Sequence, residues 1–231
     1  MRIAEIFYSL QGEGKYTGVA SIFIRTSGCN LRCQWCDTPY ASWKPQGSER
    51  SVSEVVTEIQ GQWPGVEHVV ITGGEPYLQK DLADLVDCLR KQGKFVTIET
   101  AGTIFCSEVK PHFISLSPKL SHAAPSPDQN PVAAAIHQRN LDSSKFCKFV
   151  HCDGTDYQLK FVVSKAQDLD EVHHLVRDLG IPKSKVYLMA EGTTAEGLAA
   201  QRQVWMERCL EFGYGYTDRL HVHAWGNEPG R

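Results

Sequence analysis

The sequence predicts an α/β fold, a partial (β/α) barrel with a mostly parallel sheet. Apolar, β-branched segments alternate with amphipathic helical segments, the pattern of right-handed βαβ units. About seven strands accompany only about four clear helices, whereas a complete eight-fold barrel usually takes about 250 residues. The chain has 231 residues with no internal repeat and no linker-like stretch, so residues 1–231 are expected to form a single domain.

The first half of the chain supplies five of the predicted strands and two helices. Ser51 and Glu54 form a capping box in front of one apolar helical face, and a second helix repeats leucines from position 78 to 89 and stops near Gly93. The strands are predicted from β-branched and aromatic runs. They cover residues 3–10, 20–26, 67–72, 94–100 and 113–117.

The second half is predicted to begin with an exposed loop over residues 121–130, which are rich in Ser, Pro and Ala. Residues 131–146 carry only a weak helical pattern. A helix is predicted over residues 169–179, and another is capped by Thr193 and Glu196 and reaches about Phe212. Strands are predicted at residues 157–164, 186–190 and 220–224.

Composition excludes several function classes. The formal net charge of −3, without a long basic run, disfavours nucleic acid as a main ligand. No apolar run reaches the roughly 18 residues of a membrane span, and the N-terminus lacks the apolar core of a signal peptide. Eight cysteines without an export signal are expected to stay reduced. The predicted location is therefore the cytoplasm.

Polar or glycine-rich residues follow the strands of the first half. In a parallel barrel the strand ends meet on one face, so these segments are expected to surround one cavity. They are residues 11–14, 28–38, 73–76, 99–100 and 117–119.

Three cysteines, Cys29, Cys33 and Cys36, have the spacing Cys-x3-Cys-x2-Cys. Thiolates are soft ligands that favour iron–sulfur clusters or zinc. Three of them can hold three irons of a [4Fe–4S] cube, leaving the fourth iron for a ligand that is not protein. A structural zinc site would need a second close pair, for which Cys147 and Cys152 are the nearest candidates. A disulfide framework is typical of much shorter secreted chains.

The cysteine spacing resembles that of the radical S-adenosylmethionine (SAM) enzymes. Gly73-Gly74-Glu75-Pro76 is similar to the motif with which these enzymes bind the amino group of SAM. Further segments resemble the 7-carboxy-7-deazaguanine synthase family within that superfamily. They are Leu10-Gln11-Gly12-Glu13-Gly14, Phe23-Ile24-Arg25, Trp35-Cys36-Asp37-Thr38, Ser117-Pro118-Lys119 and the C-terminal Leu220-His221-x3-Trp225-Gly226-Asn227.

The resemblance implies a specific reaction. A radical SAM enzyme of this family converts 6-carboxy-5,6,7,8-tetrahydropterin to 7-carboxy-7-deazaguanine with loss of ammonia. A 5′-deoxyadenosyl radical takes a hydrogen from C6 of the substrate and later returns it, so SAM is used catalytically. The implied cofactors are a [4Fe–4S] cluster, SAM and Mg²⁺. The implied partners are the pterin, a flavodoxin- or ferredoxin-like reductant, and a second copy of the chain in a homodimer.

The resemblance also assigns roles by position. Cys29, Cys33 and Cys36 would ligate the cluster, Thr38 the Mg²⁺, and Arg25 would clamp the substrate carboxylate. The remaining substrate-binding candidates are Leu10, Gln11, Gly12, Glu13, Thr72 and Arg231, the last because relatives use a C-terminal carboxylate. The cofactor-binding candidates are Trp35, Cys36, Asp37, Gly74, Glu75, Ser117, Pro118 and Lys119.

Other interpretations of these residues remain open at the level of sequence. Arg25 also fits a surface strand, Thr38 a turn, and Glu99 with Lys160 a buried ion pair. His221 fits a structural histidine. Cys147 and Cys152 lack the ligands for an auxiliary cluster. Among functions, a glycyl-radical-enzyme activase would share the cysteines and the Gly-Gly-Glu-Pro segment, and a zinc or electron-transfer module is the non-enzymatic alternative.

Overall fold

The computed structural model describes residues 1–231. Its strands are β1 (Arg2–Leu10), β2 (Ala20–Thr26), β3 (Ser48–Glu49), β4 (His68–Gly73), β5 (Phe95–Thr100), β6 (Phe113–Leu116), β7 (Asp156–Val163), β8 (Val186–Ala190) and β9 (Gly215–Tyr216). They form one nine-stranded sheet in the order β3-β1-β2-β4-β5-β6-β7-β8-β9. The sheet is mostly parallel and does not close, which confirms the predicted partial barrel.

The helices are α1 (Val52–Gln62), α2 (Leu82–Lys91), α3 (Pro131–Asn140), α4 (Phe146–Val150), α5 (Asp168–Asp178), α6 (Ala195–Phe212) and α7 (Leu220–Trp225). The capping box at Ser51 and Glu54 is present as predicted. One continuous apolar core joins the sheet to α1, α2, α5 and α6. Phe7, Phe23 and Val70 form a separate small cluster on the other face. None of the helices has the length and hydrophobicity of a membrane-spanning segment.

Two sequence predictions in the C-terminal part are wrong. Residues 220–224 form α7 rather than a strand, because the Val222 and His223 N–H groups both donate to the Arg219 carbonyl. The segment offers too few positions to separate a period of 2 from one of 3.6. Helix α6 is capped by Thr194, whose hydroxyl accepts from the Gly197 N–H, not by Thr193.

Strand β1 runs antiparallel to β2, with Leu10 opposite Ala20. Its C-terminal end therefore lies at the N-terminal edge of the parallel strands, not at the edge where the other predicted segments meet. Nine residues, 11–19, connect the two strands. A parallel crossover needs about a dozen or more residues, so this connection permits only the antiparallel arrangement.

The connection 11–19 closes the N-terminal end of the barrel. The Tyr16 ring packs on Phe95 and Phe113, with ring centroids 5.4 and 4.9 Å away. The backbone N–H of Leu220 donates to the Gly12 carbonyl at 3.0 Å, which ties the C-terminal segment to the same connection. The turn 11–14 therefore reaches the interior from the N-terminal end of the parallel strands. The segments that follow those strands reach it from the C-terminal end.

Candidate active site

The predicted convergence of site residues is found in one cavity of about 220 Å³. The following sequence-predicted residues line it: Leu10, Gln11, Gly12, Glu13, Arg25, Cys29, Cys33, Trp35, Cys36, Asp37, Thr38, Thr72, Gly74, Ser117, Lys119 and Arg231. Glu75 and Pro118 do not belong to the lining.

The cysteine loop, residues 28–38, is held from several sides. The Gly28 N–H donates to the Ala41 carbonyl at 2.8 Å, and the Glu75 N–H donates to the Gly28 carbonyl at 2.9 Å. The Trp43 indole N–H donates to the Cys33 carbonyl at 2.9 Å. Gly28 has φ of 106°, a backbone conformation that favours glycine. These backbone contacts and the conformation of Gly28 fix the path of the loop.

The three thiols of the loop fit an iron–sulfur cluster. All are free, partly exposed and part of the cavity lining. The Leu31 N–H donates to the Cys29 sulfur at 3.3 Å, and the Cys36 sulfur lies 3.0 Å from the Ser42 hydroxyl. Hydrogen bonds to sulfur are among the features that tune such clusters. Burial raises the pKa of Cys29 to about 11 and that of Cys33 to about 12, and a thiol must lose its proton to bind a metal.

No set of three or more His, Cys, Asp or Glu side chains converges on a single metal-ion position. A cube binds each cysteine through a different iron, so its ligands do not need to converge in this way.

Glu75 is fully buried beneath the glycines of its motif. Its carboxylate accepts hydrogen bonds from the Thr100 hydroxyl at 2.7 Å and from the Ala101 N–H at 3.0 Å. Burial outweighs these bonds and raises its pKa to about 7. The side chain therefore fastens the turn after β4 to the end of β5, and Gly73 and Gly74 are the residues of the motif that face the cavity.

Gln11 and Glu13 extend upward from the closed end of the barrel. The Gln11 amide donates to the Glu99 carboxylate at 3.0 Å, and Glu99 also accepts from the Thr72 hydroxyl at 2.8 Å. Glu13 forms an ion pair with Lys160. Lys160 is therefore paired with Glu13, and Glu99 is held by neutral donors instead of forming the predicted ion pair.

Arg219 is a site residue that the sequence interpretation missed. Its guanidinium contacts Glu13, with Nε 3.0 Å from the carboxylate, and also forms an ion pair with Asp37. Burial acts to raise the pKa of Glu13, but Lys160 and Arg219 outweigh it and hold the pKa below its usual value. The only sequence signal for this role is a single basic residue just before the C-terminal family motif.

His221 also faces the cavity, with Nε2 4.0 Å from the Glu13 carboxylate. Burial lowers its pKa, which favours the neutral imidazole. A Cβ on Gly12 would lie 2.0 Å from His221 Nδ1, so the glycine makes room for this ring. The structure thus favours a site position for His221 over the purely structural one.

Arg25 projects from β2 into the cavity beside the Phe7 ring. Its Nε donates to Glu5 at 2.6 Å, and the Tyr40 hydroxyl donates to the same carboxylate oxygen at 2.7 Å. The two terminal nitrogens of the guanidinium make no hydrogen bond within the protein. Arg25 is therefore held at one edge and keeps its paired N–H groups for a ligand, the geometry that suits a carboxylate.

Lys119 and Trp35 lie together on the side of the cavity formed by β6. Lys119 Nζ donates to the Ser117 hydroxyl at 2.8 Å and lies 5.6 Å from the centre of the Trp35 ring. The other neighbour of Trp35 is His122, stacked at 5.7 Å. Thr38 lies beside the cluster ligands, its hydroxyl 3.9 Å from the Cys36 sulfur.

The segment 121–156 packs against the outside of the cysteine loop and contributes no lining residue. The Gln34 N–H donates to the Ala123 carbonyl at 2.9 Å, and the Asn140 amide donates to the Asn30 carbonyl at 2.8 Å. The segment therefore braces the loop.

Comparison with known proteins shows which family has this sequence and site. The sequence profile of the radical SAM superfamily matches residues 23–120. The 7-carboxy-7-deazaguanine synthase of Rhodopirellula baltica is 44% identical over 230 residues, which are 99% of this chain and 88% of that protein. The synthase of Halobacterium salinarum is 41% identical, over 98% of this chain and 91% of that one. The chain belongs to the 7-carboxy-7-deazaguanine synthase family.

The fold agrees with this membership. The crystal structure of QueE from Escherichia coli matches with a TM-score of 0.69 and 26% identity, over 95% of this chain and 94% of that one. The chain is thus a radical SAM enzyme of the 7-deazapurine-forming family. Membership of the radical SAM superfamily implies a [4Fe–4S] cluster and SAM, and the three free thiols on the cavity wall fit that implication.

Proposed function

We propose that the chain converts 6-carboxy-5,6,7,8-tetrahydropterin to 7-carboxy-7-deazaguanine with loss of ammonia, and that residues 1–231 act as one radical SAM domain. The observation that carries this proposal is the shared cavity of the three cysteines, the Gln11–Glu13 turn and Arg25. When bound, the cluster and SAM supply the radical that takes a hydrogen from the substrate. The residues of the chain bind and orient the ligands and keep water out.

For the substrate, Gln11 would offer an amide and Glu13 a carboxylate to a polar heterocycle, and Thr72 would add a hydroxyl. The free edge of Arg25 would hold the carboxylate, because a guanidinium donates two parallel hydrogen bonds to such a group. Leu10 and Gly12 complete the wall around the ring. Arg231 also lines the cavity and is a further substrate-binding candidate.

For the cofactors, Cys29, Cys33 and Cys36 would ligate three irons, and Thr38 would offer its hydroxyl to Mg²⁺, a cation that prefers oxygen. Gly74, Ser117 and Lys119 would contact SAM, with Trp35 and Asp37 beside the adenosine. Glu75 and Pro118 would act from behind the lining, Glu75 by fixing the glycine turn.

The remaining partners follow from the same function. Reduction of the cluster requires a low-potential donor, which we propose to be a flavodoxin- or ferredoxin-like protein. The eight free cysteines suit the reducing cytoplasm. We propose a homodimer as the working assembly.

A product assay tests the function directly. Protein purified and reconstituted without oxygen is incubated with SAM, a reductant and the carboxytetrahydropterin, and 7-carboxy-7-deazaguanine is measured by mass spectrometry. We expect product in excess of the SAM consumed. Cys33→Ala should abolish it, while Cys88→Ala, a half-buried cysteine on α2, should not. Absence of product from the wild-type protein with a full iron content would reject the proposal.

A further inference from the structure

Arg219 joins three segments that are distant in sequence. Its Nε donates to Glu13 at 3.0 Å, its Nη1 donates to the Gly192 carbonyl at 2.6 Å, and its Nη2 donates to Asp37. The side chain is only 8% exposed. Glu13 belongs to the turn below the cavity and Asp37 to the cysteine loop above it, so one guanidinium spans both walls.

The two carboxylates depend on Arg219 to different degrees. Glu13 also has the ion pair with Lys160. The Asp37 carboxylate has no other hydrogen-bond or ion-pair partner in the protein. Loss of Arg219 would therefore remove the one hydrogen-bond partner of the Asp37 carboxylate, while Glu13 would keep a cation.

The chemistry of the bridge requires an arginine. A guanidinium is a rigid planar fork that can donate to two acceptors on different sides at once. A lysine ammonium at the same place would keep the charge, but its single nitrogen would serve one carboxylate at the expense of the other. Replacement of Arg219 by lysine therefore keeps the positive charge and removes the bridge between the two carboxylates.

We propose that Arg219 is a positioning residue that fixes Asp37 relative to Glu13 and so couples the binding of SAM to the binding of the pterin. The inference rests on the proposed function, because it takes Glu13 to contact the pterin and Asp37 to lie beside SAM. Coupling between two ligands is reciprocal, so each should raise the affinity of the other by the same factor. Such factors are typically about 5- to 150-fold.

Titration calorimetry under anaerobic conditions measures the coupling. The dissociation constant of SAM is determined for the reconstituted protein with and without saturating carboxytetrahydropterin. We expect the pterin to tighten SAM binding at least about fivefold in the wild-type protein. In Arg219→Lys the ratio of the SAM dissociation constants without and with the pterin should approach one. The iron content and the visible spectrum of the cluster should be unchanged.

Two further variants secure the interpretation. Asp37→Asn removes the carboxylate of the bridge without leaving a buried charge unpaired, and should lose the coupling in the same way. Arg50→Gln removes an ion pair, between Arg50 and Glu58 at 2.8 Å, that lies outside the cavity lining and has no contact with Arg219, and it should keep the coupling. Retention of the wild-type ratio in both Arg219→Lys and Asp37→Asn would overturn the proposal.

A measurement on the cluster-free protein separates this inference from the function itself. Amide hydrogen exchange over residues 28–38 should be several-fold faster in Arg219→Lys than in the wild-type protein and unchanged in Arg50→Gln. If the wild-type protein makes no deazaguanine, the proposed function fails, and the exchange data still decide whether Arg219 holds the cysteine loop. Equal exchange rates in Arg219→Lys and the wild-type protein would then refute the positioning role.

Discussion

Glu75 accepts a 2.7 Å hydrogen bond from the hydroxyl of Thr100, across the gap between the ends of β4 and β5. The Ala101 N–H donates to the other carboxylate oxygen at 3.0 Å. The acid of the Gly-Gly-Glu-Pro segment thus fixes the turn that presents Gly74 to the cavity.

Replacement of Glu75 by glutamine should change how stability depends on pH. Burial raises the pKa of Glu75 from 4.5 to about 7, so the native state binds a proton that the unfolded chain releases at lower pH. The contribution of Glu75 to the free energy of unfolding is therefore most favourable below about pH 4.5. It declines by up to roughly 3 kcal/mol as the pH rises to about 7. Urea denaturation of cluster-free wild-type and Glu75→Gln proteins at pH 5 and pH 8 measures the change. A stability difference that is constant with pH would contradict it.

Gly74→Ala should impair the cysteine loop. A Cβ at Gly74 would lie 2.2 Å from the Gly28 carbonyl oxygen and 2.5 Å from that of Ala41, and neither backbone can move without displacing the loop. We expect a loss of stability of at least about 2 kcal/mol and a lower iron content after reconstitution. Gly61→Ala is the matched control, because Gly61 lies within α1 with no atom near the added methyl. It should stabilise the protein by about 0.5–1 kcal/mol.

Lys160→Met should destabilise the protein by about 3 kcal/mol, because it leaves Glu13 in a buried site with one cation fewer. The Lys160 side chain is 6% exposed, so water cannot replace the lost partner. Adding Glu13→Gln to the same chain should restore part of that loss. The free energies of unfolding of both single variants and the double variant supply the test. Additive effects of the two substitutions would show that the pair is not coupled.

Arg25→Ala should raise the KM for the carboxytetrahydropterin by about 100-fold, on the scale of a lost charge-assisted bidentate contact. Iron content and SAM affinity should stay at wild-type values. Glu5→Gln should cause a smaller increase, because it weakens only the contact that orients the guanidinium at 2.6 Å. Steady-state kinetics with varied pterin concentration measure both. Normal turnover by Arg25→Ala would make the carboxylate assignment wrong.

The cysteine loop and the ends of the parallel strands could be predicted from sequence because local signals define them. Apolar runs fix β2, β4, β5 and β6, and the order of the chain brings their C-terminal ends together. The cysteine spacing and the Gly73–Gly74 pair are equally local. The fold class, the family and the part of the cavity lining that these segments supply followed from these features, with Glu75 and Pro118 as predicted residues that do not line the cavity.

The direction of β1 follows from the length of a connection and not from a local apolar signal, and the role of Arg219 could not be predicted from sequence at all. The antiparallel pairing of β1 depends on the length of the connection 11–19, which carries no apolar pattern of its own. Arg219 acquires its contacts with Glu13 and Asp37 only when three distant segments meet. Its neighbours in sequence give no sign of them, and the same holds for the pairing of Lys160.

The connection that seals the N-terminal end of the barrel has a kinetic consequence. A molecule resting against Gln11 and Glu13 must come and go through the mouth that the cysteine loop and the C-terminal residues surround. When two ligands use the same opening of a cavity that is closed at its other end, the ligand that binds first is the last to dissociate. We therefore expect ordered rather than random loading, which isotope trapping of prebound substrate can measure.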